Sequence, residues 1–154
     1  MDASTGRRPG VLSAQQVGEL LAREFSEVFH AKSDNVIEDA WHGGCRVRRA
    51  FNDKFLRPGG TISGPTMMGL TDLAMYVAIL ASIGPVPLAV TTNLNINFLR
   101  KPAPRDLIAQ ARLIKLGKRL AVGEVSICQD GEADMVSHAT ATYSIPPRQQ
   151  DGER

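Results

Sequence analysis

A single charge stands in the most apolar stretch of this chain. Asp72 lies within GPTMMGLTDLAMYVAILASI, residues 64–83, a run with no other Asp, Glu, Lys, Arg or His. A buried carboxylate is costly unless it is paired, hydrogen-bonded or used, and aspartate is a poor residue for a helix interior. The chemistry it offers is that of a general base on water or of a nucleophile on a carbonyl carbon. A second component lies just upstream, where the glycine-rich turn Arg57-Pro58-Gly59-Gly60 leads to Gly64-Pro65. The N-terminus of a helix presents free N–H groups and a positive dipole end, which suits a developing oxyanion. Pro65 has no N–H but fits the first turn, so the Gly64 N–H is the candidate donor. Glycine also lets backbone approach a ligand closely.

These two groups cannot serve one another on a single helix. Asp72 is eight residues beyond Gly64, about 12 Å along a helix axis, whereas productive contacts to one reacting carbon are about 3 Å. A second, antiparallel helix resolves this: in a two-fold dimer, Asp72 of one subunit can face the Gly64 turn of the other.

The elements that position these residues follow from period and punctuation. Ser13 and Gln16 form a capping box, and Val17, Leu20, Leu21, Phe25 and Phe29 recur at helical spacing, predicting an amphipathic helix over 13–30. Strands over 35–40 and 45–50 follow, joined at His42-Gly43-Gly44. The apolar helix spans 65–83 and is stopped by Gly84-Pro85. In TTNLNINF, Thr92, Leu94, Ile96 and Phe98 fall on one face, with Thr91, Asn93, Asn95 and Asn97 on the other, the alternation of a half-buried strand. Residues 107–116 and 120–129 read as a hairpin through Gly117-Lys118. A last strand over 135–145 ends at Pro146-Pro147. The fold class is α+β: an antiparallel six-stranded sheet wrapped around one long central helix, with an N-terminal helix. Its open edge strands invite dimerisation.

Size and composition bound the rest. The chain has 154 residues, 43% hydrophobic and 22% charged, with net charge +2. That suits one domain over 11–147, with 1–10 and 148–154 expected as disordered tails. The charge balance is too slight to argue for nucleic acid. Asp72, Thr66 and Thr71 interrupt the one stretch that approaches membrane-spanning length, so no membrane segment is expected. The two cysteines, Cys45 and Cys128, read as free thiols of a reducing compartment. With no signal peptide evident, a cytoplasmic location is expected.

At this point the residues resemble a known family. The order of elements resembles the hotdog fold, and the motifs are similar to the PaaI-type acyl-CoA thioesterases within it. That family's helix start reads approximately N-P-x-G-x-x-H-G-G, with a catalytic aspartate nine residues after the histidine. This chain has RPGGTISGP over 57–65, and Asp72 stands nine residues after Ser63. The runs AVTTNLNINFLRKPAPRDLIAQARLIKLGKRLAVGEVSI and SHATATYSIP are also similar to the family's strands, so the resemblance covers about residues 35–147. Two departures stand out: Ser63 replaces the histidine and Arg57 the asparagine. A literal His-Gly-Gly at 42–44 lies between two short strands with no helix behind it, and is a decoy.

The resemblance implies hydrolysis of acyl-CoA to free acid and CoA, without a cofactor or metal. Asp72 would act as base or nucleophile, and the Gly64 amide would polarise the thioester carbonyl across a dimer interface. Thr91 matches the position where a Ser or Thr orients the water or the carboxylate. Arg57, Ser63 and Pro65 would position the thioester, Arg57 donating to its carbonyl or pairing with a phosphate. The acyl end would meet Met67, Met68, Met75 and Tyr76, and the CoA phosphates Arg100, Lys101, Lys115, Lys118 and Arg119. A homodimer is expected, with two dimers pairing further.

Other readings compete. Asp72 could be a hydrogen-bonded interface residue of a non-catalytic acyl-CoA-binding or other ligand-binding protein. A hydratase on the same fold would want an acid–base pair with histidine near the central helix, and no histidine lies between His42 and His138. A DNA-binding regulator would need more than the short N-terminal region supplies.

Overall fold

The computed structural model describes residues 6–30 and 32–147. The expected tail at 148–154, and residues 1–5 of the other, lie outside them. Residues 6–10 make contacts: Arg7 stacks over the Trp41 ring at 3.8 Å and pairs with Asp39, and the Arg8 carbonyl accepts from the His42 N–H at 3.0 Å.

The first helix, α1, spans Ala14–Glu24. Ser13 and Gln16 form the capping box: the Ser13 N–H donates to Gln16 Oε1 at 2.9 Å, and the Gln16 N–H to Ser13 Oγ at 3.2 Å. Val17, Leu20 and Leu21 are its buried stripe. The helix stops six residues short of the expected His30. Phe25 leaves helical backbone, and Phe29 turns back over Gly18, where a Cβ would stand 3.6 Å from its ring. The i, i+4 spacing of the two phenylalanines is met by a turn, which periodicity does not distinguish from a helix.

The strands β1 (Asn35–Trp41) and β2 (Gly44–Arg49) form a hairpin, as expected. Next come two strands that the sequence reading did not contain, β3 (Leu56–Arg57) and β4 (Thr61–Ile62). Their turn has Pro58 second and Gly59 third at φ 100°, and the Gly60 N–H donates to the Arg57 carbonyl at 3.1 Å; this is the residue pattern of a type II turn. Helix α2 follows over Gly64–Ile83, then β5 (Val90–Phe98), β6 (Leu107–Leu116), β7 (Leu120–Gln129) and β8 (Ser137–Ser144).

Six strands form one antiparallel sheet in the order β1-β2-β6-β7-β8-β5. Helix α2 touches all six, the arrangement of the hotdog fold. By length and composition alone α2 could cross a membrane, but most of it is buried inside the sheet. Its buried hydroxyls bond within the helix: Thr71 Oγ1 donates to the Met67 carbonyl and Ser82 Oγ to the Ala78 carbonyl, so neither is an orphan. Met75 is fully buried against β7 at Gly123, where a Cβ would come within 2.6 Å of its sulfur.

The edge strand β5 departs from simple alternation in one place. Leu94 pairs with Ala141 and Asn93 with Thr142, but Thr91 pairs with Tyr143, leaving Thr92 as the extra residue of a bulge. The bulge turns Thr91 off the polar face it was expected to share with the asparagines, and onto the face that meets α2.

Candidate active site

Asp72 sits mid-way along α2, flanked by buried neighbours and itself half-buried. Two hydroxyls converge on one of its oxygens. Thr91 Oγ1 donates to Oδ1 at 2.5 Å, and the Tyr143 hydroxyl reaches the same oxygen at 2.7 Å and the Asp72 carbonyl at 3.0 Å. A hydroxyl has one proton, and the charged oxygen is the stronger acceptor. Oδ2 has no hydrogen-bond partner among the described residues. The carboxylate is therefore oriented through Oδ1 and left open through Oδ2. Burial, and then the Asp72 carboxylate, push the Tyr143 hydroxyl far above its ordinary range, so it remains a donor at neutral pH.

Tyr143 was missed in the sequence. The signal was available: Ala139, Ala141 and Tyr143 alternate on the buried face of β8, and a buried tyrosine hydroxyl needs a partner.

The Gly64 end is built separately. Ser63 is the N-cap of α2, its hydroxyl 3.4 Å from the Thr66 N–H and 2.8 Å from Thr66 Oγ1. The Met67 N–H reaches the Ser63 carbonyl at 3.4 Å, and Pro65 has no N–H. The Gly64 N–H thus remains without an acceptor among the described residues, the condition of an anion-binding donor. The Phe98 ring lies over Gly64, 3.3 Å from where a Cβ would stand. Arg49 ties this turn to the sheet: Nη1 donates to the Thr66 carbonyl and Nε to Asn35 Oδ1, both at 2.8 Å. Burial lowers the pKa of its guanidinium.

The two groups meet β5 at different places, Asp72 at Thr91 and Gly64 at Phe98. Seven residues of strand separate those positions, so within one chain the two groups do not face the same point. Arg57 is exposed in β3, Pro65 is exposed, and neither contacts Asp72.

Asp72 opens on a cavity of about 350 Å³, walled by Leu21, Phe25, Val28, Phe29, Leu73 and Tyr76, and bounded also by Thr91 and Tyr143. Tyr76 lines it and the methionines do not. Met67 and Met75 are buried in the core, and Met68 is exposed and does not line the cavity. Methionine composition indicated adaptability but not direction; the wall comes from α1 and the turn after it.

The candidate phosphate partners are all exposed and fall into two groups. Arg100, which pairs with Asp134 at 3.6 Å, and Lys101 follow the Phe98 end of β5. Lys115, Lys118 and Arg119 lie at the β6–β7 hairpin, next to the Val90 end, since Leu120 and Val90 both pair with Ser144. A nine-residue strand separates them, about 30 Å, so one chain does not offer them as one patch.

Comparison with known proteins agrees with this architecture. The family model for the thioesterase superfamily matches residues 59–136. The crystal structure of a "putative thioesterase" from Silicibacter sp. TM1040 is 38% identical, with a TM-score of 0.82 over 92% of this chain and 97% of that one. A "putative esterase" of Saccharolobus solfataricus is 31% identical over 135 residues, 88% of this chain and 87% of its own length. A mutant of the phenylacetic acid degradation protein PaaI from Thermus thermophilus shares the fold, at 22% identity and a TM-score of 0.65 over 73% of this chain and 93% of that one. This chain belongs to the thioesterase superfamily, with PaaI-type proteins among its structural neighbours. That membership supports thioester hydrolysis as its general chemistry.

Proposed function

We propose that this chain hydrolyses acyl-CoA thioesters to free acid and CoA, as a homodimer with two composite sites. The observation that carries the reading is the Asp72 carboxylate, fixed by two hydroxyls on Oδ1 and unpartnered on Oδ2, at the mouth of an apolar cavity. As a general base, Oδ2 takes a proton from water while the water oxygen bonds to the thioester carbon. The carbonyl oxygen becomes an oxyanion that the N–H of Gly64 of the partner subunit stabilises. Collapse breaks the C–S bond, and the departing CoA thiolate recovers the proton from Asp72. As a nucleophile, Oδ2 would itself bond to that carbon and the C–S bond would break to release the CoA thiolate, giving an anhydride. Water then opens it to the acid and the Asp72 carboxylate, its proton passing to the thiolate. Ser63 serves this site as the cap of the helix that presents Gly64, and Pro65 fixes its first turn. Arg57 stands before the same turn as a candidate donor to substrate.

Dimerisation is supported by the free edge of β5 and the apolar side chains around it. Val90 is 56% exposed, Phe98 49% and Met68 42%, more apolar surface than an isolated edge carries comfortably. Antiparallel apposition of two such edges would bring Asp72 of one subunit toward Gly64 of the partner subunit. It would also draw Arg100 and Lys101 of one chain toward the hairpin cations of the other, forming one phosphate-binding patch from two. Further pairing of dimers, and a cytoplasmic setting suited to two unpaired cysteines, belong to the same proposal.

Free-thiol release from a panel of acyl-CoAs tests the reading. Turnover by the wild type that falls at least a hundredfold in Asp72→Asn is expected. Tight acyl-CoA binding with no turnover would favour the non-catalytic reading. Sedimentation should give a dimer at micromolar concentration; a monomer would leave the composite site without its second half.

A further inference from the structure

We infer that the cavity beside Asp72 is an acyl pocket roofed by α1 and the turn after it, and that it selects a compact, uncharged, wholly apolar acyl group. The inference rests on the thioesterase reading of the site and adds its substrate class. Apart from the Asp72 carboxylate at the mouth, every polar side chain in the lining is already engaged. The Tyr76 hydroxyl donates to the Pro87 carbonyl at 2.9 Å, and the Thr91 and Tyr143 hydroxyls both donate to Asp72. Burial holds the Tyr76 hydroxyl neutral by pushing its pKa up to about 12. A hydroxyl or carboxyl on the acyl tail would therefore lose its water and find no partner.

The remaining wall is apolar and aromatic. Phe25 packs edge-on against Tyr76 with ring centroids 5.5 Å apart, and Tyr76 stacks on Tyr143 at 6.2 Å. Phe25 and Val28 are about half exposed despite their size, as the open rim of a pocket requires. The volume of about 350 Å³ is at the small end for ligand pockets. At roughly 30 Å³ per water-sized group it holds about a dozen heavy atoms. That suits an acyl chain of about eight to ten carbons, or an aryl group of the same bulk, and gives no gain to the end of a long fatty chain.

Two measurements test this. The first is kcat/KM for straight-chain acyl-CoAs from acetyl to palmitoyl, in the wild type and in Val28→Trp, which fills the rim from an exposed position. The wild type should gain about two- to fourfold per methylene up to about ten carbons and then level off. In Val28→Trp the octanoyl-to-acetyl ratio should fall at least tenfold. The second measurement does not depend on turnover: calorimetric binding of octanoate and of octanedioate to the wild-type protein. Octanoate should bind at least tenfold more tightly than octanedioate, and Val28→Trp should weaken it. A flat chain-length profile, an unchanged ratio in Val28→Trp, or octanedioate binding as tightly as octanoate would each overturn the inference. Octanoate binding with no hydrolysis of any acyl-CoA would sustain the pocket and refute the enzyme.

Discussion

The Asp72 carboxylate is held by donors that leave one oxygen free, and this asymmetry is what distinguishes it from a merely satisfied buried acid. Two hydroxyls on Oδ1 fix the plane of the group, so Oδ2 can meet water or a carbonyl carbon without reorganising. Tyr143→Phe keeps the ring stack with Tyr76 and removes only the hydroxyl. A hydrogen bond to a charged group contributes about 1.5–3 kcal/mol, so kcat is expected to fall roughly ten- to a hundredfold with KM little changed, measured by steady-state thiol release. A change confined to KM would assign Tyr143 to the pocket wall alone. Thr91→Val should act similarly and Thr91→Ser should restore activity. At this scale the sequence exposed Asp72, because a charge in an apolar helix is visible in one dimension. It hid Tyr143, seventy-one residues away, whose partner only the fold supplies.

Among the elements, the bulge in β5 does the aiming. Strict alternation would send Thr91 outward with Asn93, Asn95 and Asn97; one extra residue, Thr92, reverses it. Alternation is legible from side-chain type, but a bulge in a run of threonines and asparagines leaves no mark there, since either register looks equally polar. The ends of β6 and β7 were legible because Gly117-Lys118 and Asp130-Gly131 punctuate them. The end of α1 was not, because Phe25 and Phe29 keep helical spacing after the helix has stopped. Helix α2 depends on a close approach that the sequence also conceals. Gly123 admits the Met75 sulfur, and its missing Cβ would stand 3.0 Å from the Arg112 carbonyl as well. Gly123→Ala is expected to destabilise the protein by about 1–3 kcal/mol through overpacking, read as a lower denaturant midpoint at unchanged m-value. An unchanged midpoint would show that Met75 moves aside without cost.

For the whole molecule, the two buried tyrosines couple stability to alkaline pH. Tyr76 and Tyr143 are both raised above the ordinary value of about 10. Between that value and their folded pKa values, the unfolded chain has lost protons that the folded chain retains. Their contribution is therefore complete below about pH 10 and is lost as pH rises beyond it. Urea titrations from pH 8 to 11.5 should show stability falling above pH 10, with a shallower fall in Tyr143→Phe; an equal slope in both would remove Tyr143 from the account. The hotdog topology was legible because its one buried helix and four closing strands have different periods. The cavity was not, because its roof comes from α1, far from α2 in sequence.

The central claim is that Asp72 of one subunit works with Gly64 of its neighbour, and subunit mixing tests it most directly. Asp72→Asn and Gly64→Val should each form an inactive dimer. Mixed dimers carry one site with both defects and one with neither, so a statistical mixture should regain about a quarter of wild-type thiol release. Heterodimers that form, as native mass spectrometry would show, yet recover no activity would contradict the account and place both groups in one chain's own site.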